Sequence, residues 1–217
     1  MLTRRSLFGL AAGAAAGASS FALSFGSSLS LSGCSDDQNG GGVATDRSTV
    51  LDSLVREVFR PGFEPIRGQA DAMVVALDAL ATGPTPATMQ AARDAWSTLR
   101  GSYRRTMAYG IGPYDDLTLT SGILDEPTDG ARVEELAASP TPVNPKTTPA
   151  KARGSLAIEY LLFDPARDDA ALVASFTAPA GSGRASLLQV LGSDLRDRLV
   201  AATDAWLTGG FDEQVRT

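Results

Sequence analysis

Between residues 89 and 107, apolar and aromatic side chains recur at steps of three and four: Met89, Ala92, Trp96, Leu99, Tyr103 and Met107. Successive side chains of a strand point to opposite faces. A stripe at this spacing therefore lines up only on a helix, which must bury it against another element. Gln90, Arg93, Asp94, Arg100 and Arg104 fall on the other side. Thr85-Pro86 supplies an N-cap and a proline at the first helical position, and Gly110-Ile111-Gly112-Pro113 ends the pattern.

The same period governs most of the chain after residue 46. Asp46 is placed to cap a helix carrying Leu51, Leu54, Val55, Val58 and Phe59. Pro61-Gly62 and Pro65 interrupt that stripe, which resumes as Ala70, Met73, Val74, Leu77 and Leu80 and stops at Gly83-Pro84. The spacing predicts either one helix kinked near Pro61 or two short helices meeting there. Residues 112–130 read as loop, and a short helix fits Gly130 to Ser139. Pro140 to Pro149 read as a linker, and Thr148-Pro149 opens a helix from Ala150 to Phe163. A short amphipathic piece covers Asp168 to Phe176. The last helix carries Leu188, Leu191, Leu195, Leu199, Ala202 and Trp206, with Gly209-Gly210 as its stop. Its Ala-Thr-Asp-Ala-Trp echoes the Ala-Arg-Asp-Ala-Trp that ends at Trp96. No alternating Val/Ile-rich run suggests a strand, so the expected fold is an all-α helical bundle over residues 47–210, with 211–217 as a tail.

Residues 1–46 have a different character. Arg4-Arg5 precede a stretch without charge that runs from Ser6 to Ser35 and is rich in Ala, Gly and Ser. A charged n-region followed by an apolar h-region is the layout of a secretory signal, here residues 1–33. Thr3-Arg4-Arg5 with Leu7-Phe8 resembles a twin-arginine address. The stretch ends in Leu31-Ser32-Gly33-Cys34, which resembles a bacterial lipobox, and Cys34 is the one cysteine in the chain. Residues 34–46 therefore read as a lipidated cysteine and flexible tether, and the expected product is a membrane-anchored lipoprotein of the cell envelope facing the periplasm or cell surface. A lone cysteine also leaves the domain without an internal disulfide.

Loss of Arg4 and Arg5 with the signal takes the net charge from −6 to −8. An acidic chain without a basic run is a poor nucleic-acid binder, and its charge gives no attraction to anionic lipid. There is no histidine. That excludes Ser-His-Asp and Cys-His catalysis and histidine-bearing zinc sites. Any metal would have to be held by oxygen ligands, which suit hard cations.

Arg153-Gly154-Ser155-Leu156-Ala157-Ile158-Glu159-Tyr160-Leu161-Leu162-Phe163 is apolar on nearly every side and is predicted to run through the interior. Gly154 is costly inside a helix, and points to a helix start or to close approach of another backbone. Glu159 then needs a partner, an arginine of the Trp96 helix or Arg153, because a buried lone carboxylate is costly. Gly154-Ser155-Leu156-Ala157-Ile158-Glu159 and the following Tyr160-Leu161-Leu162 resemble the Gly-x-His-x-x-Glu signature of the imelysin family. Ala91 to Trp96, Tyr109 to Pro113 and Leu124 to Asp129 are similar to further family segments. The resemblance covers roughly residues 47–207.

The resemblance implies an exported helical protein of the bacterial envelope, in a family generally built as two bundles. Some members resemble peptidases and others are linked to iron uptake. Here Leu156 stands at the His position, so the His–Glu pair proposed as a metal site is gone. The chain also holds one bundle's worth of helices, as either a reduced member or a fragment would. The expectation is a non-catalytic lipoprotein, without cofactor or metal, that binds a small ligand, a metal-containing ligand or an envelope protein. The alternative is an imelysin-type metallopeptidase with a degenerate site. Trp96, Asp125 and Glu159 are the expected pocket residues. Trp96 and Trp206 also fit a core, and Asp115-Asp116 and Asp125-Glu126 also fit solvated loop charges or a weak oxygen-ligand site for calcium or ferric ion.

Overall fold

The computed structural model describes residues 46–109, 112, 123, 126–177 and 181–216. The readings at Cys34, Asp115-Asp116 and Asp125 lie outside them. Every regular element among the described residues is helical: α1 (Arg47–Leu54), α2 (Arg60–Thr82), α3 (Pro86–Thr106), α4 (Gly130–Ala138), α5 (Gly154–Phe163), α6 (Asp169–Ala174), α7 (Ser182–Leu207) and α8 (Phe211–Arg216). The all-α expectation holds.

The core is built on α2, which packs against both α3 and α7. Phe63, Ile66, Ala70, Met73, Leu77 and Leu80 are fully buried along α2, and their steps of three and four keep them on one face. Leu188, Leu191, Leu195, Leu199, Ala202 and Trp206 of α7 meet them, as do Met89, Ala92, Trp96, Leu99 and Tyr103 of α3. The α2–α7 approach is close at Gly192, where a Cβ would lie 2.6 Å from Leu77 Cδ1.

The chain does not break at Pro61. A π-helical turn, Val55–Phe59, joins α1 to α2, with the Arg60 N–H reaching back to the Val55 carbonyl. The wider turn carries the helix past a residue that cannot donate, and Pro65 is accommodated inside α2. At the start of α3, Thr85 and Thr88 form a reciprocal capping box, with Pro86 at the first helical position. Met107 falls outside the stripe because α3 ends at Thr106 and passes into a 3₁₀ turn, leaving Met107 exposed.

The expected helix from Ala150 is two pieces. A 3₁₀ turn covers Ala150–Ala152, Arg153 is extended, and α5 begins at Gly154, whose φ is +71°. That left-handed conformation explains the glycine, since a side chain there would be strained. Residues 211–217 were expected to form a tail, but 211–216 form α8. It packs back on the bundle, with Phe211 edge-on to Trp206 and Asp212 buried in an ion pair with Arg60. No helix among the described residues is long and apolar enough to cross a membrane.

Candidate functional site

The helix that bears the family signature is not interior on every side. Gly154, Ser155, Ala157, Ile158, Leu161 and Leu162 are buried, whereas Leu156, Glu159 and Tyr160 are half-buried and Phe163 is exposed. Leu156, Glu159 and Phe163 share one face at helical spacing, and that face opens on a cleft of about 630 Å³. Arg100 of α3 and the Glu126-Pro127-Thr128 segment, with a cis Glu126–Pro127 bond, also line it.

Alternating bonds fasten α3 to α5. The Trp96 indole donates to the Ser155 carbonyl at 3.2 Å, and the Tyr103 hydroxyl meets Ser155 Oγ at 2.6 Å. Arg93 donates through Nε to the Leu162 carbonyl at 2.9 Å, ion-pairs with Asp169 at 2.8 Å and lies over the Phe163 ring. Burial pushes the Tyr103 hydroxyl above its usual range, against the opposing pull of the Ser155 hydrogen bond. The two helix ends of the cleft floor are thereby fixed by side chains one helical stripe apart.

Arg100 and Glu159 face each other across this floor at 3.6 Å. The Arg100 guanidinium lies 4.9 Å from the Trp96 ring centroid, so the tryptophan helps hold the cation in place. Glu159 was expected to be buried; its side chain is instead 34 % exposed, because it stands at the rim of the cleft. The expected pairing with an arginine of the Trp96 helix holds, and the partner is Arg100; Arg153 turns away to the Pro145 carbonyl at 3.0 Å. At 3.6 Å the pair is an ion pair without a hydrogen bond. Among the described residues, Arg100 Nε and Glu159 Oε2 are shielded from solvent and have no hydrogen-bond partner, which leaves one donor and one acceptor unmatched in the pair.

Tyr160 links the cleft to a second polar layer. It hydrogen-bonds Glu134 of α4, which is also 2.6 Å from Arg184 and 3.3 Å from Arg167. Burial opposes ionisation of Glu134, but the Arg184 hydrogen bond and the two cations outweigh it and hold the carboxyl below its usual range. Burial, and then the charges of Glu134 and Asp164, push the Tyr160 hydroxyl up.

Of the expected pocket residues, Glu159 lines the cleft and Trp96 lies beneath its Arg100 wall; Asp125 is outside the described residues, while its neighbour Glu126 lines the cleft. Gly154 sets the start of α5, and Leu156 occupies the wall. Arg100, Tyr160 and Phe163 were not singled out as pocket residues. Arg100, read from the sequence as lying opposite the stripe, instead sits over Trp96; its spacing of four from Trp96 was the signal.

A divalent metal does not fit these residues. The position that would carry a nitrogen ligand one turn from Glu159 is Leu156, and the Glu159 carboxylate already faces a fixed cation. No three acidic or cysteine side chains converge among the described residues.

Residues 60–217 match the Imelysin family (Peptidase_M75). A relative, iron-regulated protein A of Synechococcus elongatus, is 26 % identical over 157 residues, covering 72 % of this chain and 40 % of that protein. The chain thus spans well under half the length of this relative. No solved structure matches it. With the family match covering most of the chain and its signature helix forming the floor of the cleft, the chain belongs to the imelysin family.

Proposed function

We propose that this protein is a non-catalytic binding member of its family, held at the cell envelope by lipid on Cys34, whose α3–α5 cleft takes a small organic anion such as a ferric chelate. The observation that carries this reading is the Arg100–Glu159 pair. The pair occupies the place where a peptidase of this family would need a metal and a general base, and it presents a fixed guanidinium instead. Among the described residues, Arg100 Nε is an unfilled, solvent-shielded donor, and the cleft it lines has apolar walls formed by Leu156, Phe163, Pro127 and Pro165. Such a site favours a ligand with an acidic group for the arginine and an apolar or planar body for the walls. The name of the relative from Synechococcus elongatus supports a tie to iron, which a chelated ferric ion meets without a protein ligand set.

The test is thermal unfolding of residues 35–217 with ferric citrate, citrate alone, zinc chloride or no addition. Ferric citrate at 100 times its dissociation constant should stabilise the domain by about 2.7 kcal/mol. Arg100→Ala should remove that shift. Zinc should give none, and casein should remain intact with or without a chelator. Chelator-sensitive proteolysis abolished by Glu159→Gln would replace this reading with the metallopeptidase one.

A further inference from the structure

Helix α1 carries apolar side chains on two sides. Val55, in the turn that follows it, is fully buried, and Phe59 packs against the core. Val50, Leu54 and Val58 point the other way and are 44 %, 38 % and 42 % exposed. Steps of four put these three on one stripe, and with Thr49, Ser53 and Glu57 they line a shallow groove of about 330 Å³. Three of the six large hydrophobic side chains exposed among the described residues belong to this stripe. The charges of this region are paired: Asp52 with Arg56 and Arg216, and Glu57, at the edge of the groove, with Arg56.

The position of the stripe in the chain says what covers it. Cys34 precedes Arg47 by thirteen residue steps, a reach of at most about 45 Å even when fully extended. Among the described residues, the first helix after Cys34 thus carries an exposed apolar face, whereas Val75, the most exposed large hydrophobic side chain there, stands on α2. The net charge of the chain offers no attraction to anionic headgroups, so contact with a bilayer has to be apolar. We infer that the Val50–Leu54–Val58 face of α1 lies against the lipid surface that holds the Cys34 acyl chains. This rests on the lipid-anchor reading above. It gives the domain a fixed orientation on the membrane in place of free rotation about a tether.

The test uses the full-length chain carrying Leu54→Cys or, as control, Val75→Cys. With Cys34 acylated, the introduced thiol is the sole one open to an environment-sensitive fluorophore. Fractionation comes first: if the chain stays out of the membrane with Cys34 intact, the anchor reading fails and takes this inference with it. For anchored protein in phosphatidylcholine vesicles, the probe at position 54 should emit further to the blue than the probe at 75. It should be quenched by a nitroxide-headgroup lipid and protected from aqueous iodide. Equal iodide quenching at the two positions overturns the inference while leaving the anchor intact. A probe at 54 protected from iodide yet untouched by the nitroxide lipid also overturns it, since a second copy of the chain would then be the cover. Adding Val58→Asp should return the emission at 54 to that at 75, with helical content and membrane fraction unchanged; an unmoved emission again overturns the contact.

Discussion

Trp96 and Trp206 end the same five-residue pattern on different helices, yet they sit in opposite surroundings. Trp206 is fully buried in a dry aromatic cluster, stacked on Phe63 at 4.8 Å and met edge-on by Phe59 and Phe211. Among the described residues its indole N–H has no hydrogen-bond partner. Trp96 donates to Ser155, carries Arg100 on its face and touches Phe163 at the cleft. The residue three before each tryptophan differs in the same sense: Thr203 bonds back to the Leu199 carbonyl of its own helix, while Arg93 reaches across to α5. The local pattern thus makes a helix that buries its tryptophan in both cases. Whether the tryptophan serves packing or a site depends on what the facing helix presents.

The largest effect should come from the dry end. Trp206→Ala removes the centre of the aromatic cluster and should cost about 3–5 kcal/mol in denaturant unfolding. Trp96→Ala should cost less, about 3 kcal/mol, because its site borders an open cleft that water can enter. Equal losses would mean that the two tryptophans do the same structural work.

This contrast also marks how far the sequence could be read. The stripes of α2, α3 and α7 were legible because each faces one core, and a one-sided core leaves a clean period of three and four. The α5 segment misled for the opposite reason. Its apolar residues point at two different surroundings, the core for Ile158, Leu161 and Leu162 and the cleft for Leu156 and Phe163; spacing separates the two faces, but with both apolar it does not say which one is open. The break at Arg153-Gly154 was half legible: a glycine signals a backbone need, but its left-handed φ emerges only from the turn that delivers the chain into α5. Arg100 was legible as a cation beside Trp96 but not as the wall of a cleft, since the Glu126–Thr128 segment that completes the cleft joins it only in three dimensions.

Glu159 sharpens the comparison from the wet side. Its partner Arg100 is 28 % exposed and also rests on Trp96, so neither charge is left stranded when the other goes. Glu159→Ala should therefore cost about 1 kcal/mol, the scale of a solvent-screened pair, and Glu159→Gln less. A fully buried pair broken on one side would instead lose about 3–5 kcal/mol. Urea unfolding of the two variants separates these cases; a loss in the higher range would mean that the cleft is closed in solution and that the tryptophans differ less than they do here.

The smallest effect separates the two ends by pH. Glu134 has its carboxyl held below the ordinary value of 4.5 by Arg184 and Arg167, so the folded state keeps it ionised where the unfolded chain takes up a proton. Its contribution is present above about pH 4.5 and is lost as pH falls through the lower folded value. Because the side chain is 35 % exposed, the loss should be a small fraction of the total stability. It should also be local. Glu134 holds Tyr160, and Tyr160 lines the cleft, whereas the Trp206 indole N–H has no hydrogen-bond partner among the described residues. Single-tryptophan chains report this directly. Acidification from pH 5 to 3 should redden the emission of Trp96 in the Trp206→Phe chain before it moves Trp206 in the Trp96→Phe chain. Glu134→Gln should flatten the first response and leave the second as it was. If both tryptophans respond together in the parent background, the acid-sensitive layer is shared by the whole bundle and the division into a wet cleft and a dry aromatic end does not hold.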